Sequence, residues 1–187
     1  MTAPKKRNYG ALSFLKQLNQ LHRKVSLARS SACFTTLQHI SADIADLRTQ
    51  IHLWQPSPPT SSTTPASDGA HVNETWQQGL LCYLYADVCA LPSSDERIQE
   101  CVARGIMALR ELSWMHSIIF PTFMMDIHAL TAEHRAVLGS SYRAMANSLS
   151  FSTRLSTVQL LRKIWAELDA NEPSMFNWRR LMRDSDI

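Results

Sequence analysis

Between Leu37 and Trp54 the apolar residues fall at alternating steps of three and four: Leu37, Ile40, Ile44, Leu47, Ile51 and Trp54. That spacing gathers them on one stripe of an α-helix and scatters them over both faces of a strand. The same rhythm recurs along the chain. Phe14, Leu18, Leu21, Val25 and Ala28 mark a helix over about 10–29, and Trp76, Leu80, Leu84 and Val88 mark another that ends at Leu91-Pro92. Ser93 and Glu96 have the spacing of a capping box ahead of Ile98, Cys101, Val102, Gly105, Ile106, Leu109 and Leu112. Pro121 suits the first turn of a short helix carrying Phe123, Met124, Ile127 and Leu130. Thr131 is placed to cap the next one, with Leu138, Tyr142, Met145 and Leu149 on one side. A last long helix over 152–170 carries Val158, Leu161, Ile164, Trp165 and Leu168, and a terminal piece carries Trp178, Leu181 and Met182. No segment alternates with a period of two. The expected fold is all-α, a multi-helix bundle of antiparallel helices.

Helix breakers set the one internal boundary. The 187 residues hold five glycines and eight prolines, and four of the prolines lie in Gln55–His71 beside four serines and three threonines. Such a stretch neither buries apolar surface nor keeps helical hydrogen bonds, so a flexible loop over 55–72 is expected. Ser57-Pro58 and Thr64-Pro65 have the form of proline-directed phosphorylation sites, which a Ser/Thr/Pro-rich composition also produces by itself.

Charge is distributed unevenly. Lys5, Lys6, Arg7, Lys16, Arg23, Lys24 and Arg29 face no acidic residue before Asp43, whereas the rest of the chain has 12 basic against 16 acidic residues. Residues 1–35 therefore read as a basic N-terminal arm or amphipathic helix, and 36–187 as the helical domain. Lys5-Lys6-Arg7 fits a nuclear-import or nucleic-acid patch, and the acid-free stretch as a whole also fits a mitochondrial targeting helix.

Residue types that carry chemistry are present without the spacing that chemistry needs. Cys33, Cys82, Cys89 and Cys101 include no C-x-x-C pair, so free thiols are expected and neither a disulfide framework nor a zinc site. His128 and His134 flank no metal-binding motif, and Gly139-Ser140-Ser141 lacks the flanking glycines of a nucleophile elbow. A glycine-rich phosphate loop is also lacking. These observations name no catalytic, cofactor-binding or metal-binding residue, and the chain is expected not to be an enzyme. The longest apolar run, Ile118–Met125, is too short to cross a bilayer.

The order of certain blocks carries a resemblance. Leu112-Ser113-Trp114 precedes Ile118-Ile119-Phe120-Pro121-Thr122-Phe123; then come Thr131 through Arg135, Leu160-Leu161-Arg162-Lys163-Ile164-Trp165, and Asn177-Trp178-Arg179-Arg180-Leu181-Met182. This series, over about 36–184, resembles the fungal-specific transcription factor domain, the regulatory domain that follows the binuclear zinc cluster in many fungal gene regulators. Phe120 stands where that family usually has tryptophan, and Asp126 where it commonly has glycine. The second departure bears on a close helix contact that glycine would permit. The aromatic and proline anchors Phe120, Pro121, Trp165 and Trp178 are expected in the core.

The resemblance implies a nuclear regulator of transcription, or a truncated fragment of one, without its own zinc cluster. It would act through protein partners such as another regulator, a co-regulator or a second copy, and would not read DNA itself. Two other readings stay open on the residues alone: a mitochondrial or cytosolic helical scaffold, and a helical bundle that binds a small molecule.

Overall fold

A computed structural model describes residues 9–31, 34–55, 66–112, 118–146, 151–170 and 178–179. Its first two helices, α1 (Tyr9–Ser31) and α2 (Phe34–Leu53), pack side by side. Phe14 meets Trp54 with ring centroids 5.8 Å apart and Lys24 pairs with Asp43 at 3.1 Å, so numbering rises along one helix as it falls along the other. Of the predicted stripes, Phe14, Leu18, Leu21, Val25 and Ala28 on α1 and Ile40, Leu47 and Ile51 on α2 are buried, while Ile44 and Trp54 are half-buried.

Of the two forms read for residues 1–35, a basic arm or an amphipathic helix, residues 9–31 take the helical one. The apolar face of α1 lies in the common core against α2 and α3, while Lys16, Arg23, Lys24 and Arg29 face solvent. Lys5-Lys6-Arg7 and Cys33 fall outside the described residues.

Helix α3 (Ala66–Tyr83) is the centre of the molecule and continues as one π-helical turn, Leu84–Val88. Its neighbours include α1, α2, α4 and α5. A helix covered on several sides must be apolar around most of its circumference, and Leu80, Leu81, Cys82, Tyr83, Leu84 and Tyr85 are buried in succession. The expected loop over 55–72 is therefore too long at its C-terminal end, since 66–72 belong to α3; residues 56–65 lie outside the described ones. Asp68 in the first turn favours an early start because a carboxylate there meets the positive end of the helix dipole. The π-turn closes with Cys89 N–H donating to the Leu84 carbonyl at 2.9 Å, followed by Ala90 in the left-handed region at φ 57°.

Helix α4 (Glu96–Arg110) buries Ile98, Cys101, Val102, Gly105, Ile106 and Leu109, with Leu112 buried just beyond its end. Its cap is Asp95 rather than Ser93: the Asp95 carboxylate accepts from Arg97 N–H at 3.0 Å and from the Arg97 guanidinium at 2.9 Å. Ser93 turns inward to His128 instead, so the capping box from Ser93 to Glu96 does not form.

Short helix α5 (Ile119–Asp126) begins at Pro121's turn as expected and wedges between α3, α4 and α6. Two glycines admit it. A Cβ at Gly79 would collide with the Pro121 backbone, and one at Gly105 with the Met125 sulfur. The close approach that the Asp126 substitution put in question is thus supplied by glycines on the facing helices. Helix α6 (Ala132–Ala146) is capped by Thr131, whose hydroxyl accepts from His134 N–H at 3.1 Å. It buries Leu138 and Tyr142, and α7 (Phe151–Ala170) packs on it through Leu160, Leu161, Ile164 and Leu168. The side chains of Leu37, Met145 and Val158 are outside the described set, as are Trp114, Leu149, Leu181 and Met182 altogether. Among the described residues there is no strand, so the fold is all-α.

Candidate functional site

Outside the core proper, the densest polar arrangement gathers around Asp87 in the π-turn. Its side chain is 6% exposed and accepts from the Arg179 guanidinium Nε at 2.7 Å and from the Trp178 indole N–H at 3.1 Å. Arg179 also donates to the Tyr83 hydroxyl, which in turn donates to the Asn19 side-chain oxygen at 2.6 Å. The guanidinium carbon lies 5.3 Å from the Tyr83 ring centroid and 4.8 Å from that of Trp178, within cation–π range. Phe123 of α5 presents its ring to Trp178 nearly edge-on at 5.7 Å. Four segments distant in sequence thus meet in one cluster, with Trp178 and Arg179 bonded to its carboxylate.

The electrostatics follow from this enclosure. Burial works to lower the Arg179 pKa, but the hydrogen bond and charge of Asp87, aided by Tyr83, outweigh it and raise the value. Burial raises the Tyr83 phenol despite the nearby guanidinium. His22 on α1 is lowered, first by burial and then by the Arg179 charge, with Asp87 opposing. A planar fork held between an anion and aromatic faces is the geometry for which arginine is suited and lysine is not. The resemblance pointed to Trp178 as an anchor, but Asp87, Tyr83 and Asn19 escaped sequence reasoning. One signal was available: Asp87 is the only charged residue between Glu74 and Asp95.

A second polar group lies under α5. Asp126 is fully buried, and among the described residues neither carboxylate oxygen has a hydrogen-bond partner. Burial pushes its pKa up to about 8, with Arg135 pulling the other way, so the carboxyl is mainly protonated at neutral pH. Its surroundings come from other helices. Trp165 of α7 donates its indole N–H to the Asp126 carbonyl at 3.1 Å, and the Tyr142 hydroxyl of α6 donates to the Ile119 carbonyl. Arg135 stacks over the Trp165 ring at 5.6 Å and makes a bidentate pair with Asp169 at 2.7 and 2.8 Å.

His128 closes the corner between α5 and α6. Its Nδ1 is 2.9 Å from the Ser93 hydroxyl, its Nε2 is buried without a partner, and burial lowers its pKa to about 4. A serine beside a histidine has the composition of a nucleophile and its base. Here the two residues are only 2% and 3% exposed and no third group orients the ring, so the pair braces the fold where Gln99 also ties the Ser93 and His128 carbonyls together. His134 contributes to no cluster. Cys82 and Cys101 are buried free thiols, and burial, then its hydrogen bond to Cys101, drives the Cys82 pKa up and away from reactive thiolate character. Among the described residues no group of three His, Cys, Asp or Glu is placed to hold a metal ion. Ser140 and Ser141 donate to the Val137 carbonyl inside α6, consistent with their reading as helical residues.

Of the anchors expected in the core, Pro121 is buried, whereas Phe120 is half-buried against it. Phe120 stacks on Trp76 at 6.1 Å, and Pro121 is buried against α3. Trp165 and Trp178 are half-buried and tied by their indole N–H groups.

The match to known families agrees with this architecture. A model of the fungal-specific transcription factor domain matches residues 9–187. The chain belongs to that family. No curated protein and no solved structure matches it. The family match begins within α1, so it spans the helix that the sequence resemblance left out and agrees with the packing of α1 into the core. In this transcription factor domain no described helix is long and apolar enough to cross a membrane.

Proposed function

We propose that this chain is a fungal transcriptional regulator that works in the nucleus through protein partners and has no catalytic role. The observation that carries the reading is the family match across residues 9–187. Reading DNA by itself would require a recognition element, and the chain's four cysteines do not make a binuclear zinc cluster. The exposed basic residues of α1 suit non-specific contact with phosphates, which carries no sequence information and weakens steeply with salt. Recruitment by a protein partner is a route to a promoter that needs no recognition element within these residues. The mitochondrial alternative loses its support once the apolar face of α1 is part of the domain core, because a targeting helix needs that face free.

The reading is tested by following a fluorescent fusion of the full chain in a fungal host. Accumulation in the nucleus is expected, and steady exclusion from it would count against the proposal.

A further inference from the structure

The arrangement around Asp87 has the form of a receptor and its ligand carried by one chain. The receptor is built on α1, α3 and α5: Asn19, Tyr83, the π-turn's Asp87, and Phe123. The ligand is two consecutive residues, Trp178 and Arg179, joined to α7 through residues 171–177. Asp87, Tyr83 and Phe123 each read a different feature of that pair, and Asn19 holds the Tyr83 hydroxyl. One carboxylate takes the indole N–H and the guanidinium together, the phenol accepts a further guanidinium N–H while its ring lies over the cation, and the Phe123 ring meets the indole edge-on. The π-turn is part of this, since such turns often re-aim side chains at functional positions.

We propose that this surface is a peptide-recognition site for an adjacent aromatic–arginine pair, occupied in cis by Trp178 and Arg179 and open to a partner chain that presents the same pair. The charge chemistry favours such an occupant over others. With the pair seated Asp87 is only 6% exposed, so an occupant that covers the carboxylate must also supply its cation, and a replacement must restore both a planar donor fork and an aromatic face. The cis pair competes at an effective concentration on the order of millimolar, so a partner gains entry when it adds contacts elsewhere or when the cis pair is withdrawn. This inference concerns binding chemistry and goes beyond the transcriptional reading; it holds or fails whatever a reporter shows.

The test uses the full chain carrying Trp178→Ala and Arg179→Ala, titrated with a fluorescein-labelled peptide of residues 174–182 and followed by anisotropy. With the cis ligand removed, the peptide should bind at least about tenfold tighter than to the unaltered chain. Adding Asp87→Asn should weaken it by at least about tenfold, as should lysine in place of Arg179 in the peptide. Equal affinity for the altered and unaltered chains, or binding indifferent to Asp87→Asn, would overturn the proposal. Should circular dichroism show that the double variant does not fold, the same titration is made on Trp178→Phe, which keeps a ring against Phe123 and the guanidinium on Asp87. It should bind the peptide a few-fold tighter than the unaltered chain, and failure to do so overturns the proposal equally.

Discussion

Replacing Asp126 with asparagine should change how stability depends on pH far more than it changes the structure. Asp126 has a folded pKa of about 8 against an ordinary 3.8, so ionising it inside the fold is penalised. The sign follows directly. Below 3.8 the carboxyl is protonated in both states and there is no penalty; as pH rises from there towards 8, the unfolded chain ionises and stability falls by about 1.36 kcal/mol per unit. His128 acts in the opposite direction, with a folded pKa near 4 against 6.5, so stability is lost as pH falls through that window. Between about 4 and 6.5 the two slopes cancel, because the folded chain protonates the aspartate and leaves the histidine neutral whereas the unfolded chain does the reverse. Above 6.5 the aspartate acts alone, and stability should decline by about 2 kcal/mol on the way to 8.

Asp126→Asn removes one slope and exposes the other. The stability of the variant relative to the unaltered chain should rise by about 3 kcal/mol between about pH 5 and pH 7.5. Urea denaturation followed by far-ultraviolet circular dichroism at several pH values measures this difference, and exposed carboxylates common to both chains drop out. A difference that stays constant within about 0.5 kcal/mol over the range would refute the assignment of a buried, unpartnered, neutral carboxyl.

Other consequences are simpler. Ala90→Gly should stabilise the fold by about 0.5–1 kcal/mol, visible as a higher melting temperature, because alanine at φ 57° carries a steric cost that glycine avoids. Gly79→Ala should destabilise it by about 2 kcal/mol or more in denaturant titrations, since the new methyl meets the Pro121 backbone, which has little freedom to yield. A chain starting at residue 36 should lose its cooperative melting transition and bind a hydrophobic dye. Phe14, Leu18, Leu21 and Val25 are all buried, and about 2 kcal/mol for each approaches the whole stability of a domain.

The helices visible in the sequence are those with one covered face. On α1, α2 and α4 the large buried residues are ones the three-and-four spacing selects, with Ala11 and Ala108 buried besides, because solvent on the other side keeps the pattern clean. Central α3 was only half legible: Trp76, Leu80, Leu84 and Val88 are buried as their spacing predicts, but so are Thr75, Gln78, Cys82 and Tyr85, a second stripe at steps of three and four that the polar Thr75 and Gln78 disguise. Its first turns, which carry Ser67, Asp68 and Gly69, look like loop, and tertiary packing overrides that local preference. The choice between Ser93 and Asp95 as cap is made by His128, 35 residues away from Ser93, and so by no local rule. The Asp87 cluster joins residues 91 and 92 positions apart, with Tyr83 and Arg179 separated by 96, and periodicity is blind to such distances. Asp126 was noticed as a departure from the family pattern, but its isolation depends on α6 and α7 folding over it.

On the proposed function, this family member alters transcription when something else brings it to a promoter. Its most direct test fuses the entire chain, α1 included because the core contains it, to an unrelated DNA-binding module in a fungal host carrying a reporter. Trp165→Ala serves as the control for misfolding, since it removes a half-buried ring and its hydrogen bond to the Asp126 carbonyl. The account predicts that the unaltered fusion raises or lowers reporter output at the tethered promoter and that the control does so less. A fusion that is nuclear, soluble and abundant yet leaves the reporter unchanged would contradict it.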